Sequence, residues 1–228
     1  KQYFLKSFLA VSVLEILSLF TWQNLFWHSL IYLIIIGASL YLILKNRENA
    51  LYIVTAELAV GSFGYLFSLD SSGLNLSWRM GLFLIIIAVY AFDSLKEMFT
   101  VGLKTWLVSL WKDKYIRYFL LLIVVILWGV LRGVILGNQG NAIFFDGNGY
   151  LFLLLAFPLL SWLKNFSAWN KWLAVLGGAV FSSTLKVWFL FYLFIHDKTW
   201  ITPWVYKWVR DTRGGEITQM QGDFFRIF

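Results

Sequence analysis

The sequence predicts an all-α fold, a polytopic transmembrane helical bundle, and three observations lead to this class. First, hydrophobic residues make up 60% of the 228 residues and charged residues only 14%, whereas soluble domains average about 45–50% apolar and about 25% charged. Second, several apolar runs approach the roughly 20 residues that a helix needs to cross a bilayer. Third, the lysines and arginines lie mainly between those runs, where membrane topology places them.

The apolar runs predict seven membrane spans and one further helix. The predicted spans are Tyr3–Phe20, Leu30–Leu44, Ala50–Leu69, Leu76–Phe92, Tyr118–Leu136, Gly149–Leu163 and Trp172–Ile195. Between the fourth and fifth spans, apolar residues at helical spacing alternate with lysines, which is typical of an amphipathic helix lying in the membrane interface. Those apolar residues are Val101, Leu103, Trp106, Leu107, Leu110 and Trp111.

The distribution of basic residues predicts the orientation. Nine lysines and arginines lie in the loops after the second, fourth and sixth spans, whereas the opposite loops hold Arg79 and, at a span end, Arg132. Because basic loops stay in the cytoplasm, we expect a cytoplasmic N-terminus and a loop "GNQGNAIFFDGNG" on the outer face. The nine residues are Lys45, Arg47, Lys96, Lys104, Lys112, Lys114, Arg117, Lys164 and Lys171.

We expect two regions along the chain. Residues 1–198 form the transmembrane helical domain, and residues 199–228 begin an extracytoplasmic region. The chain starts at Lys1 rather than Met and stops at "DFFRIF", so we expect a fragment of a longer protein in which the second region is truncated.

Several kinds of site are excluded by residue type. The sequence has no cysteine, which rules out disulfides and thiolate metal sites. No group of His, Asp and Glu has metal-ligand spacing, so we expect no metal. The net charge of +7 follows the predicted topology rather than forming a patch, so we expect no nucleic-acid partner.

Arginines at the outer span ends are the first candidate site residues. Arg79 and Arg132 either reach toward the interface as solitary charges or use their guanidinium groups to grip phosphate oxygens with two donors. The tail "VYKWVRDTRGGEI" adds Arg210 and Arg213 on the same predicted face. That tail also fits an ordinary amphipathic helix that stops at Gly-Gly.

Charged residues within the spans are the second group of candidates, since a charge in a bilayer is costly. We expect Glu57 to be a buried carboxylate bonded to a neighbouring helix, with Lys186 as its candidate partner. Glu15 is expected to be structural or interfacial. Asp146 in "FFDGNGY" fits either a turn residue that bonds its own backbone or a general base. His28 and His196 are solitary and indicate little.

Taken together, these residues resemble the O-antigen ligase/polymerase family of bacterial inner-membrane proteins. The resemblance rests on the stretch after Arg132-Gly133, on "AELAVGSFGYLFS", and on the arginine that opens the fourth span. The stretch holds Gly137-Asn138, Asp146, Asn148 and Tyr150, followed by an apolar span with Pro158. The segment "FSSTLKVWFL" departs from the family, because Lys186 stands where the family often has an arginine.

The resemblance implies an enzyme that transfers or joins glycans carried on undecaprenyl pyrophosphate at the periplasmic face, without a cofactor. The acceptor is lipid A–core or a growing glycan chain, and the protein sits among membrane lipids. We expect Asp146 and Arg132 to be catalytic. The expected substrate-binding residues are Arg79, Arg132, Arg210, Arg213, Asn148 and Lys186.

Two rival functions stay open at this point. A secondary transporter or lipid flippase predicts interrupted helices and an ion site at the membrane midplane, which Glu57 and Lys186 would serve. A membrane scaffold without catalytic activity also fits the composition.

Overall fold

The chain is mostly helical in the computed structural model. The structure describes residues 1–60, 65–71, 74–112, 114–140, 143, 149–162, 166–196, 200–212, 217–219 and 225–227. The helices are α1 (Gln2–Thr21), α2 (Leu25–Lys45), α3 (Asn49–Val60), α4 (Trp78–Val101), α5 (Leu103–Lys112), α6 (Lys114–Ile135), α7 (Ala156–Trp162, after a 3₁₀ turn at Phe152–Leu155), α8 (Phe166–His196) and α9 (Thr202–Asp211). The strands are β1 (Ser68–Ser71), β2 (Leu74–Ser77), β3 (Ile217–Gln219) and β4 (Phe225–Ile227).

Helix ends follow local sequence signals. Asn24 accepts a hydrogen bond from the Trp27 amide at 3.2 Å and starts α2, as a side-chain oxygen at an N-cap does. Ser77 does the same for α4, accepting from the Met80 amide at 3.2 Å. Gly102 has a φ of 85° between α4 and α5, and Gly137 has a φ of 75° just beyond α6. Glycine adopts this left-handed conformation without steric cost.

Four helices among the described residues are long and apolar enough to cross a membrane, which indicates a membrane protein. They are α1, α2, α6 and α8, and they carry the first, second, fifth and seventh predicted spans. Their outward surfaces are apolar: Val124, Val125, Leu127 and Trp128 on α6 are each at least 60% exposed. Such a surface suits lipid rather than water.

The prediction of seven full-length spans is supported only in part. Of the third predicted span (Ala50–Leu69), the structure describes a helix over Asn49–Val60 and places the last two residues in β1, while residues 61–64 lie outside the described residues. The sixth falls on the short helical stretch Gly149–Trp162. The fourth begins in β2 with Leu76 and continues in α4, which is not among the four helices that are both long and apolar enough to cross a membrane.

The all-α prediction is confirmed in part: the described residues are mostly helical, but they include two antiparallel hairpins. Strand β1 pairs with β2 in the register Ser68↔Ser77, Leu69↔Leu76, Asp70↔Asn75 and Ser71↔Leu74, and β3 pairs with β4. The first hairpin has a sequence signal that hydropathy alone misses. In "SLDSSGLNLS" leucines alternate with polar residues around a Ser-Gly turn, which is a strand pattern.

The predicted amphipathic helix is confirmed as a helix, α5, although its placement in a membrane interface stays a prediction. Leu103, Leu107 and Trp111 are each more than half exposed and recur at intervals of four residues. They therefore form one apolar stripe on the helix surface.

The chain divides into two compact units. The first unit contains residues Lys1–Leu84 and Leu163–Phe228, and the second contains Ile85–Trp162. In the second unit, rings of Phe119 and Phe157 lie 6.0 Å apart and those of Tyr90 and Trp162 also lie 6.0 Å apart. The predicted boundary at residue 198 is not the boundary between these units, and the assignment of 199–228 to an extracytoplasmic region stays a prediction.

Helices α1, α3 and α8 of the first unit run parallel to one another. In both the α1–α8 and the α3–α8 pair, a residue nearer the C-terminal end of one helix contacts a residue nearer the C-terminal end of the other. The contacts are Ser7–Val175, Ser12–Ser182 and Glu15–Lys186 between α1 and α8, and Tyr52–Ala168, Thr55–Trp172 and Ala59–Ser183 between α3 and α8.

Gly178 allows α1 and α8 to pack closely. A Cβ atom at position 178 would clash with the Phe4 carbonyl oxygen, whereas a Cβ atom at Gly177 would stand 3.6 Å from the Phe4 ring. Small residues permit this kind of close approach between membrane helices.

The two glycines therefore provide a matched pair of variants. We expect Gly178→Ala to destabilise the protein by about 1–3 kcal/mol, because α1 must move away. Gly177→Ala should be neutral or slightly stabilising, because alanine is the better helix former. Unfolding of both variants in detergent micelles, followed by circular dichroism, measures the difference. Equal stabilities would contradict the close α1–α8 contact.

Candidate functional site at the end of helix α3

The last described turn of α3 is bonded to side chains of α8. Ser183 Oγ donates to the Ala59 carbonyl at 2.7 Å, and Lys186 Nζ donates to the Val60 carbonyl at 3.0 Å. These two bonds fix this turn of α3 against α8.

Lys186 also binds α1. Its Nζ lies 2.8 Å from Glu15 Oε1, and each side chain is only 8% exposed. This contact is an ion pair, but its geometry is not that of a hydrogen bond. Among the described residues, Glu15 Oε1 therefore accepts no hydrogen bond. Ser182 Oγ donates to the other oxygen, Oε2, at 3.4 Å. One buried ammonium group thus joins α1, α3 and α8.

A cavity of about 310 Å³ opens beside this ion pair. Its polar lining comes from the ion pair and from Ser12 and Ser182, which lie 2.8 Å apart through their hydroxyl oxygens. The remaining lining residues are Ile16, Leu19, Leu185, Phe189 and Trp208. The cavity is therefore apolar with one charged wall.

Glu57 forms the second buried ion pair, with Arg79. The Nε–H group of Arg79 donates to both Glu57 carboxylate oxygens, at 3.0 Å each. The Glu57 side chain is 1% exposed and the Arg79 side chain 25% exposed. The carboxylate therefore lies inside the first unit, and the guanidinium reaches from it toward the surface.

The β1–β2 hairpin places Arg79, because α4 starts directly after β2. His28 Nε2 accepts a hydrogen bond from the Ser68 amide at 3.1 Å, which assigns the ring proton to Nδ1. Ser18 Oγ donates to the Leu66 carbonyl at 2.9 Å. The Trp78 amide donates to the Phe67 carbonyl at 3.0 Å. The start of α4 is thereby tied to α1 and α2.

Helix α9 packs under the same region. Trp208 Nε1 donates to Ser18 Oγ at 3.1 Å, and Val205, Trp208 and Val209 are buried. The tail is helical from Thr202 to Asp211, and the predicted Gly-Gly stop lies outside the described residues. Its polar face carries Arg210, which is exposed.

The predicted pairing of Glu57 with Lys186 is wrong. Glu57 is bonded to a neighbouring element as expected, but its partner is Arg79, and Lys186 is paired with Glu15. Both lysine and arginine were available as partners in the sequence. The choice depends on the hairpin, which brings the start of α4 back to α3.

The other predicted site residues are distributed over both units. Arg132 is exposed near the end of α6, in the second unit. Arg210 Nε donates to the neighbouring Asp211 carboxylate at 2.8 Å, and this hydrogen bond raises the pKa of Arg210. Asp146, Asn148 and Arg213 lie outside the described residues. The roles predicted for all of these residues, and for Arg79 and Lys186, stay predictions.

A second cavity, of about 510 Å³, belongs to the second unit. It is lined by apolar side chains of α6 and of the following segment, including Val130, Val134, Ile143 and Leu151. Successive residues of an α-helix are rotated by about 100° around the helix axis. Arg132 is two residues from both Val130 and Val134, so its α-carbon lies on the side of α6 opposite to this cavity.

Sequence reasoning missed Ser18, His28 and the role of Glu15 in this region. The sequence does not indicate which groups Ser18 and His28 bond. Their partners are backbone atoms at and just before the start of β1, far away in the chain. For Glu15 a weak signal existed, since Lys186 of opposite charge lies within another predicted span.

Comparison of this chain with protein-family models, with curated proteins and with solved structures finds no match.

The Glu15–Lys186 pair can be tested by a double-mutant cycle. We expect Lys186→Met to destabilise the protein by about 3–5 kcal/mol, because it leaves a buried carboxylate unpaired. The double variant Glu15→Met/Lys186→Met should regain the part of that loss that comes from the unpaired carboxylate, whereas the bond from Lys186 to the Val60 carbonyl stays lost. Unfolding in detergent micelles measures each variant. If Lys186→Met is as stable as the parent protein, the ion pair is refuted.

Proposed function

We propose that this chain belongs to a multi-pass protein of the bacterial inner membrane that transfers or joins glycans carried on undecaprenyl pyrophosphate at the periplasmic face. Arg79 and Arg132 are each candidates for binding the diphosphate and for stabilising its charge as it leaves, which is electrostatic stabilisation by preorganised donors. Arg210, Arg213, Asn148 and Lys186 are further candidates for binding the substrate. Asp146 deprotonates the hydroxyl group of the acceptor, which is lipid A–core or a growing glycan.

The observation that carries this proposal is the guanidinium group of Arg79. Among the residues that the structure describes, it is bonded through Nε alone, which leaves its terminal nitrogens for two phosphate oxygens, the contact that arginine makes best. It stands on the second residue of α4, and a helix N-terminus also favours a negative charge. The resemblance of the sequence to the O-antigen ligase/polymerase family supplies the substrate class.

Helix directions support the proposed seven-span topology. Successive membrane crossings alternate in direction. If α1, α2, α6 and α8 were the only crossings, α8 would be the fourth and would run opposite to α1. Because α1 and α8 run parallel, an odd number of further crossings is required. Seven spans, with α1, α3 and α8 on the first, third and seventh, satisfy this requirement.

Secondary transport or lipid flipping is the second candidate function. The observation in its favour is the presence of two buried ion pairs on helices of the first unit, Glu15–Lys186 and Glu57–Arg79. Charged pairs within membrane segments mark ion and substrate pathways in many transporters. A transporter moves the lipid-linked glycan without changing it, so an assay of new glycosidic bonds distinguishes the two functions.

Replacing each arginine tests the proposed diphosphate contact. We expect Arg79→Lys and Arg132→Lys to lower glycan transfer by about 10- to 100-fold, because lysine keeps the charge but loses a two-pronged contact worth about 1.5–3 kcal/mol. The assay follows transfer from an undecaprenyl-pyrophosphate-linked glycan in proteoliposomes. Lys104→Ala, at an exposed position on α5, is the control and should retain full transfer. Full transfer by both arginine variants would refute the proposal.

The orientation can be measured by cysteine labelling. The chain has no cysteine, so each single substitution creates a unique site. We expect Gly140→Cys to react with a membrane-impermeant maleimide from the periplasmic side of intact cells, whereas Asn46→Cys should react only after the inner membrane is permeabilised. Both positions are exposed in the protein. The reverse pattern would place Gly140 in the cytoplasm and exclude a periplasmic reaction at this loop.

A further inference from the structure

We propose that Glu57 is a positioning residue, which fixes the guanidinium plane of Arg79 so that its two terminal nitrogens face the diphosphate of the donor. This inference rests on the proposed function, because it requires that Arg79 binds the donor. It adds a residue that does not touch the substrate and that acts through Arg79.

The way in which the pair is bonded supports this role. A guanidinium group has its N–H donors on Nε, Nη1 and Nη2. Arg79 uses Nε for both oxygens of Glu57, and no described residue accepts a hydrogen bond from Nη1 or Nη2. The contact therefore holds the arginine at the base of its fork and leaves the fork itself open.

Burial adds a second reason. The Glu57 side chain is 1% exposed, whereas that of Arg79 is 25% exposed, so the carboxylate is an internal anchor and the fork is the accessible part. Glu57 belongs to the last described turn of α3, whose Ala59 and Val60 carbonyls are bonded by Ser183 and Lys186. Its carboxylate thus sits on a fixed element, and ligand-binding groups supported in this way keep their geometry.

The negative charge of Glu57 and its orienting effect on Arg79 change donor binding in opposite directions, and this difference makes the inference testable. A carboxylate beside Arg79 repels an anionic ligand, so its removal strengthens binding if charge alone matters. If orientation matters more, its removal weakens binding. The sign of the change in donor affinity therefore decides between the two effects.

The test compares Glu57→Leu with Glu57→Gln in the full chain. Leucine removes both acceptor oxygens, whereas glutamine keeps one oxygen that can accept from Arg79 Nε. We expect Glu57→Leu to raise the KM for the undecaprenyl-pyrophosphate-linked donor by about tenfold or more, as the loss of a charge-assisted contact does. The kcat at saturating donor should fall as well, since a misaligned guanidinium group also stabilises the leaving diphosphate less. Glu57→Gln should recover most of the native KM.

Binding of undecaprenyl diphosphate to the purified protein in nanodiscs gives a readout that does not depend on turnover. Its Kd should change in the same direction as KM for each variant. Thermal unfolding of each variant shows how much protein is folded, and Glu57→Gln, which is nearly isosteric, keeps the test valid if Glu57→Leu folds poorly.

Glu48 provides the matched control. It is a half-buried carboxylate near the opposite end of α3, 3.8 Å from Lys171 Nζ, and it accepts from the Tyr52 hydroxyl at 3.3 Å. Glu48→Gln should leave the donor KM and Kd unchanged.

Three outcomes would overturn the inference. Tighter donor binding by both Glu57 variants would show that the charge of Glu57 weakens binding and that its orienting effect is negligible. Unchanged donor binding by both variants would show that Arg79 needs no anchor. A fall in kcat and in folded protein with an unchanged KM would show a purely structural role. In each case Arg79→Lys still reports on the proposed function separately, since that variant tests the diphosphate contact itself.

Discussion

Lys186 of α8 joins three helices of the first unit, and the arrangement of that unit depends on this contact. Its ammonium group bonds the Val60 carbonyl of α3, beside the bond from the Ser183 hydroxyl to the Ala59 carbonyl. Because a buried ammonium also needs a counter-charge, Lys186 brings Glu15 of α1 into the same contact.

The β1–β2 hairpin stands between α3 and α4 in the chain and places Arg79. Ser18 bonds the Leu66 carbonyl just before the hairpin, and His28 bonds the Ser68 amide within it. Arg79 lies in the first turn of α4, next to Glu57. A guanidinium group at the start of a helix, anchored by a buried carboxylate, has the arrangement that the proposed diphosphate contact requires.

The two buried ion pairs differ in how many donor groups of the cation are already bonded within the described residues. The ammonium group of Lys186 bonds the Val60 carbonyl and contacts Glu15, and its side chain is 8% exposed. Arg79 is partly exposed and bonded through a single nitrogen. A group with unused donors near the surface is the better candidate for a ligand contact. This difference favours the start of α4 as the binding site and the α1–α8 contact as its support.

Much of the architecture follows from the sequence alone. The composition and the length of the apolar runs established a membrane protein with long apolar helices, because transfer free energy depends on residue type and not on the fold. Helix breaks at Gly102 and Gly137 and the amphipathic stripe of α5 are likewise local properties. The tertiary structure decided that a hairpin stands between α3 and α4, and that Glu57 pairs with Arg79 rather than Lys186. Hydropathy cannot determine these features, because residues 50–69 are apolar whether they form one helix or two elements. The partner of a buried charge is set by contacts between residues far apart in the chain.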